Sequence, residues 1–380
     1  MRVAVPAEIV HGEKRVALVP EAVPQIVKLG HSVAVQAGAG AKAGFPDEAY
    51  SAAGATLVPD ASAVYGNADL VLKVQRPTER ELAMLPRSSA LIGLLQPSGD
   101  PGIFQELARA HVTSMSMELV PRTTRAQMMD ALSSQSTVAG YKAVLIAANA
   151  LQKFFPMLMT AAGTVRPARV LVIGAGVAGL QAIATARRIG AVVEAFDTRP
   201  VVKEQVQSLG ATFVELELGS HDTQDAGGYA RELAEEHIRK EKVLIHERAR
   251  NADVVITTAL IPGRRAPVLV TTETVEAMKP GSVIVDLAGE QGGNCELTEP
   301  GTTVDHKGVK IISPLHISSD LAYHASQMYA KNIAALVALI APEGHLKLDM
   351  SDDIIAAVCV TADGDVRNEA IRQKLSEKTA

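Results

Sequence analysis

The sequence of 380 residues contains no tryptophan, and aromatic residues make up only 3% of it. Its two cysteines, Cys295 and Cys359, lie far apart and lack the CxxC spacing of a metal or redox site. This pattern argues against a disulfide framework and fits a reducing compartment. We interpret both cysteines as small buried residues and expect no metal site.

Long apolar runs and runs of one charge are also missing. The longest apolar stretches, 143–151 and 334–341, fall well short of the roughly 20 residues that a membrane span needs. The formal net charge is −5 with both signs interspersed, so nucleic acid is not an expected partner. Because the chain opens on a strand pattern and not on a signal peptide, we expect a soluble, cytoplasmic protein.

Small apolar residues are abundant, as expected for buried parallel strands covered by closely packed helices. The length predicts two domains. Strand patterns alternate with helical patterns in two series, which predicts an α/β fold with two Rossmann-like doubly wound domains. The predicted strands are 2–7, 32–36, 69–74 and 91–95 in the first series, and 169–173, 192–196, 212–216, 253–257, 282–286 and 310–312 in the second.

Two long helical patterns, 126–155 and 320–340, predict where the chain leaves the first domain and returns to it. We therefore expect a discontinuous first domain, 1–135 plus 315–380, and a dinucleotide-binding domain, 136–314. The cofactor is expected in the cleft between them.

A GxGxxG motif, Gly174, Gly176 and Gly179, follows an apolar strand and opens a helix, which is the context that a dinucleotide site requires. The first glycine permits the tight turn, the second lets the backbone approach the pyrophosphate, and the third lets the helix pack on the strand. Val177 and Ala178 lie at the helix N-terminus, where free N–H groups favour phosphate. The alternative is that the glycines serve only a tight turn.

Asp197 ends the next predicted strand, about 20 residues after the glycine turn, where a carboxylate accepts the ribose hydroxyls of NAD. The same carboxylate repels the 2′-phosphate of NADP, and we expect a preference for NAD(H) of roughly a hundredfold. The alternative is that Asp197 caps a helix beginning near Thr198. Arg199 is close enough to blur the choice between the two nucleotides.

Several further motifs are specific enough to suggest a family. They are Arg15-Val-Ala with Pro20-Glu21, and the segments 72–77, 117–122, 125–127, 129–136, 139–141, 159–164 and 258–263. With these motifs the chain resembles the NAD(H)-binding component, domain I of the alpha subunit, of proton-translocating NAD(P) transhydrogenases. It is more distantly similar to alanine dehydrogenases, which share the two-domain fold.

The resemblance implies roles for residues outside the glycine turn. Thr258, Ala259 and Leu260 would contact the cofactor, and Gln127 would bond the nicotinamide ribose. From the residues alone, Thr124 and Gln127 also fit a capping box, which would leave Asp130 as a surface charge. The residues implied at the nicotinamide end are Arg122, Gln127, Asp130, Ser133 and Tyr141.

The segment 217–230 is polar and rich in glycine, and it resembles the mobile loop of the transhydrogenases. In that comparison Tyr229 would close on the bound nucleotide. The alternative is a surface insertion without a role in binding.

The resemblance leaves two enzyme classes, a transhydrogenase half-enzyme and an amino-acid dehydrogenase, and a nucleotide sensor as a third class. Arg15 and Lys73 match residues that hold the substrate in alanine dehydrogenases. However, segment 91–97 lacks that family's catalytic histidine, and Glu290 stands where its aspartate is expected. His111, His306, His316 and His324 have no metal-like or triad-like spacing.

We therefore expect a Re/Si-specific transhydrogenase component that binds NADH and passes hydride to NADP⁺ on a partner subunit. The resemblance implies an NADP-binding subunit, a membrane-spanning subunit and a homodimer of this chain. It also implies a peripheral location on the inner face of the cell membrane, through those partners.

Overall fold

A computed structural model describes residues 1–97, 99–216, 228–261 and 264–379. The chain divides into two compact units: Met1–Val138 with the chain from Ser318 onward, and Ala139–Ile317. In the described ranges the strands are, in chain order, β1 (Arg2–Val5), β2 (Ser32–Gln36), β3 (Thr56–Val58), β4 (Leu70–Leu72), β5 (Ala90–Gly93), β6 (Thr113–Ser116), β7 (Leu158–Thr160), β8 (Gly163–Val165), β9 (Arg169–Ile173), β10 (Val192–Phe196), β11 (Thr212–Phe213), β12 (Val254–Thr257), β13 (Val283–Asp286), β14 (Thr303–His306), β15 (Val309–Ile312), β16 (Cys359–Ala362) and β17 (Asp365–Val366).

Helices cover the sheets of both units. In the same ranges they are α1 (Val23–Lys28), α2 (Asp47–Ala52), α3 (Ala61–Tyr65), α4 (Glu79–Leu82), α5 (Gly102–Arg109), α6 (Ala131–Ala150), α7 (Val177–Arg188), α8 (Lys203–Ser208), α9 (Gly228–Ala249), α10 (Thr272–Ala277), α11 (Ala322–Ile340), α12 (Asp353–Val358) and α13 (Glu369–Thr379).

The first unit contains a sheet in the order β17-β16-β6-β5-β4-β1-β2-β3. Its strands from β3 to β6 run parallel, as predicted. The sheet continues with two antiparallel strands, β16 and β17, which the sequence analysis missed. It also missed β3 and β6, because strands of three or four residues with polar members give no clear apolar pattern.

Both faces of this first sheet are buried, which explains the continuous apolar character of its strands. In β1, Val3 and Val5 point into one core and Ala4 points into the other, because side chains alternate along a strand. Tyr329 and Ile333 of α11 contribute to the core around Val3, so the helix formed late in the chain stabilises the first unit.

The second unit contains a sheet in the order β11-β10-β9-β12-β13-β15-β14. By order of appearance its six parallel strands read 3-2-1-4-5-6, as in Rossmann domains, and β14 is an antiparallel edge. Its strands are likewise buried on both faces. The strand order reverses between β9 and β12, and ligands bind at the carboxyl ends of strands beside such a reversal.

Several predicted boundaries were wrong by a few residues. Strand β1 ends at Val5, before Pro6, and β11 ends at Phe213. The helical pattern 126–155 is not one helix, because a 3₁₀ turn at Gln127–Met129 precedes α6, which ends at Ala150.

Candidate functional site

The turn between β9 and α7 has the geometry that the glycine motif predicts. Gly174 has a φ of 96°, a conformation that residues with a Cβ rarely adopt, and its N–H donates to the Phe196 carbonyl at 2.8 Å. A Cβ built on Gly174 would lie 2.6 Å from the Thr258 hydroxyl. This position therefore requires glycine for both its backbone and its surroundings.

Gly179 lies inside the first turn of α7 and is buried. A Cβ added there would overlap the carbonyl oxygen of Gly174. That carbonyl also accepts the Thr258 hydroxyl at 3.1 Å. The absent side chain at Gly179 thus lets α7 pack directly against the end of β9.

Gly176 faces open space. It precedes α7 with a φ of −76°, and the nearest atom to a Cβ built there would be Arg199 Nη2, at 4.0 Å. The first N–H groups of a helix have no partner within the helix and form a positive dipole end. Val177, which is 43% exposed, and the half-buried Ala178 stand in this first turn. The open backbone and the free donors fit a dinucleotide pyrophosphate.

Asp197 follows β10 beside this turn, and four hydrogen bonds hold its carboxylate. Its Oδ2 accepts the Ala175 N–H at 2.7 Å and Arg199 Nη2 at 2.9 Å. Its Oδ1 accepts Arg199 N and Nε, each at 2.9 Å. Burial alone would raise the pKa of Asp197, but the Arg199 and Ala175 hydrogen bonds outweigh it and lower the pKa.

The alternative role of Asp197 as a helix cap is wrong. The next helical turn, Pro200–Val202, has Arg199 at its N-cap without a side-chain hydrogen bond, and α8 begins only at Lys203. Thr198 is exposed between them. Asp197 is therefore free of a capping duty and lies next to the glycine turn.

The segment after β12 forms another side of the same region. Thr258 N donates to Ile173 O at 2.9 Å, which joins this segment to the end of β9. Ala259 is half-buried and Leu260 is 51% exposed. The structure thus brings the glycine turn, Asp197, Arg199, Thr258 and Ala259 together in the second unit.

Sequence reasoning missed the residues that hold this segment in place. The Asn294 side chain is buried and bonds both the N–H and the carbonyl of Ala259, at 3.0 and 2.9 Å. The buried Asp286 carboxylate accepts the Asn294 N–H at 2.7 Å and the Thr257 hydroxyl at 2.9 Å. Asn294 follows Gly292 and Gly293, and a glycine pair after a strand was the available signal.

The residues predicted at the nicotinamide end begin in the first unit. Asp130 is the N-cap of α6: its Oδ1 accepts the Ser133 N–H at 2.9 Å, and its Oδ2 accepts the Ser133 hydroxyl at 2.6 Å. The alternative of a capping box at Thr124 is wrong, because no α-helix begins there among the described residues. Arg122 and Gln127 are exposed.

The remaining residues of that end lie in the second unit. Tyr141 is on α6 and is 41% exposed. Most of the predicted loop, 217–227, lies outside the described residues. Tyr229 falls at the start of α9, and its side chain is also outside the described part of the chain.

Arg15 and Lys73, which match substrate-binding residues of alanine dehydrogenases, are buried and paired within the first unit. Arg15 Nε and Nη2 donate to the two oxygens of Glu13 at 2.8 and 2.7 Å. Lys73 Nζ donates to Glu8 at 3.1 Å and to Glu81 at 2.5 Å.

These pairs keep both members charged. Burial opposes the Glu13 charge, but its bonds with Arg15 lower its pKa to about 2. Burial likewise opposes the Lys73 charge, but Glu8 and Glu81 raise its pKa. Internal carboxylates therefore hold both cations.

The other singled-out residues lie apart from the glycine turn or in structural roles. Glu290 accepts the His316 N–H at 3.0 Å, and His306 pairs with Glu276 at 3.0 Å. Burial raises the pKa of Cys295 and of Cys359 to about 11. In the described ranges there is no metal-binding group of three or more His, Cys, Asp or Glu side chains, and none of the helices has the length and hydropathy to span a membrane.

The chain matches known proteins over nearly its whole length. Models of the Alanine dehydrogenase/PNT N-terminal and C-terminal domains match residues 4–139 and 143–369. The first of the separate chains that form the NAD(P) transhydrogenase alpha subunit of Rhodospirillum rubrum is 46% identical over 379 residues, which are 98% of this chain and 99% of that protein. An alanine dehydrogenase of Halomonas elongata is 32% identical over 380 residues, 98% of this chain and 96% of that protein.

The fold agrees with these matches. The crystal structure of transhydrogenase from Sinorhizobium meliloti superposes with a TM-score of 0.88 at 44% sequence identity. The superposition covers 96% of this chain and all of that one.

Proposed function

Because the chain belongs to the Alanine dehydrogenase/PNT family, we propose that it is the NAD(H)-binding component of a proton-translocating NAD(P) transhydrogenase. In this role it gives hydride from NADH to NADP⁺ that a partner subunit holds. The observation that carries the proposal is the turn between β9 and α7, where an open backbone at Gly176 stands beside the carboxylate of Asp197.

The residues of the second unit have distinct tasks in this proposal. The N–H groups of Val177, Ala178 and Gly179 bind the pyrophosphate, and Asp197 binds the adenosine ribose. Thr258, Ala259 and Leu260 border the dinucleotide on the other side of the turn. NAD(H), when bound, supplies the transferable hydride.

The nicotinamide end is assigned to residues that the transhydrogenase resemblance selects. Gln127 orients the ring through its ribose, and Asp130 with Ser133 fixes the start of α6 beside it. Arg122, Tyr141 and Tyr229 complete this end.

No proton-transfer residue is required for this reaction, because hydride passes directly between two nicotinamides. An amino-acid dehydrogenase instead needs a general acid or base and a cation for the substrate carboxylate. Here Arg15 is already bound by Glu13, and Lys73 by Glu8 and Glu81. These internal pairs favour the transhydrogenase over the dehydrogenase.

The relatives' names imply an assembly, and we propose its members. The chain works as a homodimer with an NADP-binding subunit and a membrane-spanning subunit. Through them it is peripheral on the inner face of the cell membrane, and the membrane subunits couple hydride transfer to proton movement.

The test is hydride transfer between the two nucleotides. NADH carrying deuterium at the transferable position is mixed with NADP⁺, the full chain and the NADP-binding component, and the label in NADPH is followed by mass spectrometry. We expect rapid labelling with both proteins and none with either protein alone.

Two control reactions separate the enzyme classes. The chain alone, given pyruvate, ammonia and NADH, is expected to consume no NADH above background. Consumption that depends on both other substrates would replace the proposal with an amino-acid dehydrogenase. Absence of label transfer when both components bind their nucleotides would also contradict it.

A further inference from the structure

The carboxylate that is assigned to the adenosine ribose is already saturated in the free protein. Two of its four hydrogen bonds come from backbone N–H groups, one on each oxygen: Ala175 N to Oδ2 and Arg199 N to Oδ1. The other two come from the Arg199 side chain, also one on each oxygen. Arg199 therefore occupies the positions on Asp197 that a ribose diol would use.

The two halves of this arrangement differ in how easily they can change. The Asp197 side chain is 7% exposed and is anchored by the two backbone donors. The Arg199 side chain is 53% exposed, and ion pairs in such exposed positions are weak. The guanidinium can leave while the carboxylate stays in place.

A displaced guanidinium stays close to the nucleotide. Arg199 is only two residues from Asp197, and its Nη2 is 4.0 Å from where a Cβ on Gly176 would lie. The side chain therefore covers the opening between the phosphate-binding turn and the ribose-binding carboxylate. It remains a positive charge at the edge of this opening after it releases Asp197.

We propose that Arg199 sets the nucleotide selectivity of this site: it competes with the ribose for Asp197 and offsets the repulsion between Asp197 and a 2′-phosphate. This inference rests on the proposed NAD(H)-binding function. It changes the expectation from sequence, which counted Asp197 alone and gave a preference of roughly a hundredfold. With one negative and one positive group at the 2′ position, the preference of the natural chain is smaller.

The test compares the dissociation constants of NADH and NADPH, measured by calorimetry on the full chain and its variants. Arg199→Ala is expected to bind NADH about two- to fivefold more tightly, because a weak exposed ion pair no longer competes. It is expected to bind NADPH more weakly, so the ratio of the two constants rises about tenfold or more.

Two further variants separate charge from other effects. Arg199→Lys keeps the cation, and its NADPH affinity should stay close to that of the natural chain. Arg250→Ala removes one exposed arginine just after α9, before β12, at the opposite end of the sheet from the turn. That control should leave the ratio unchanged.

The possible failures are distinguishable. If Arg199→Ala binds NADH and leaves the ratio equal to that of the natural chain, the selectivity role is wrong, while the proposed function stands. A lower ratio in Arg199→Ala also overturns the inference. If the natural chain binds no NADH, the proposed function itself fails, and the inference fails with it.

Discussion

At the scale of single residues, the three glycines of the turn meet different physical limits. Gly179 has no room for a side chain, because a Cβ would overlap the Gly174 carbonyl. Gly176 has room and an ordinary φ of −76°, so the fold itself tolerates a Cβ there. The open face at Gly176 is therefore explained by a ligand that approaches the backbone, and the closed face at Gly179 by packing.

Alanine substitutions should separate these two causes. Gly179→Ala is expected to lower the free energy of unfolding by about 2 kcal/mol or more, because α7 has to move away from β9. Gly176→Ala should change it by less than about 1 kcal/mol, since only an N-cap position is altered. Yet it should weaken NADH binding about tenfold or more, because the methyl group occupies the approach to the backbone.

Chemical denaturation and NADH titration of both variants provide the measurements. Each variant serves as the control for the other, because the chemical change is identical and the positions are three residues apart. Unchanged NADH affinity in a stable Gly176→Ala variant would contradict the assigned phosphate site.

The sequence could predict this turn because its signal is local: a strand, three glycines and a helix follow one another. It could not predict the clamp on Ala259 by Asn294, because those residues meet only after β12 and β13 have paired. The bidentate pairing of Arg199 with Asp197 was likewise invisible, since its geometry depends on side-chain rotamers.

At the scale of elements, the start of α6 differs from the helix that the apolar pattern predicts. The chain makes a 3₁₀ turn at Gln127–Met129, and Asp130 then caps α6 through Ser133. A cap that lies inside an apolar stretch is easily overlooked, because the pattern continues on both sides of it. Asp130 thus has a structural task that any catalytic interpretation has to be separated from.

Two substitutions of Asp130 make that separation. Asp130→Asn keeps a good N-cap and removes the charge, whereas Asp130→Ala also loses about 1 kcal/mol of stability. If the carboxylate also positions the nicotinamide, both variants should slow hydride transfer tenfold or more, with little effect on NADH affinity. Melting temperature, NADH titration and single-turnover transfer are the measurements.

A matched cap elsewhere in the first unit provides the control. Asp60 caps α3 by accepting the Ala63 N–H at 2.9 Å. Asp60→Ala should lose comparable stability without slowing transfer. Natural transfer rates in Asp130→Asn would show that Asp130 acts only as a helix cap.

At the scale of the whole molecule, the six parallel strands of each sheet agree with the predicted α/β class. The additions were not predicted: β14, β16 and β17 pair antiparallel at sheet edges, and β7 and β8 form a separate hairpin. Edge strands contribute few buried side chains, so their sequences carry little apolar pattern. The parallel centre is predictable because burial on both faces leaves a continuous apolar run.

The hairpin of β7 and β8 has an exposure that bears on the proposed homodimer. Met159 on β7 is 78% exposed, and the nearby Met157 and Phe154 are 57% and 58% exposed. A two-stranded hairpin alone is only marginally stable in water. Large apolar side chains in contiguous exposed positions are typical of protein–protein contact sites. We therefore expect the hairpin to lie in the interface between two copies of the chain.

The substitution Met159→Lys tests this expectation. In a twofold interface the change occurs twice, so loss of the buried methionines should cost about 3 kcal/mol or more and weaken dimerisation roughly a hundredfold. Sedimentation velocity over a range of concentrations would measure the shift from dimer to monomer. Met128→Lys is the matched control, because Met128 is 75% exposed but lies in the first unit, on the turn before α6. A monomeric natural chain would refute the proposed dimer. A Met159→Lys dimer of natural affinity would instead show that the interface lies elsewhere, since a buried ammonium group cannot be accommodated there at no cost.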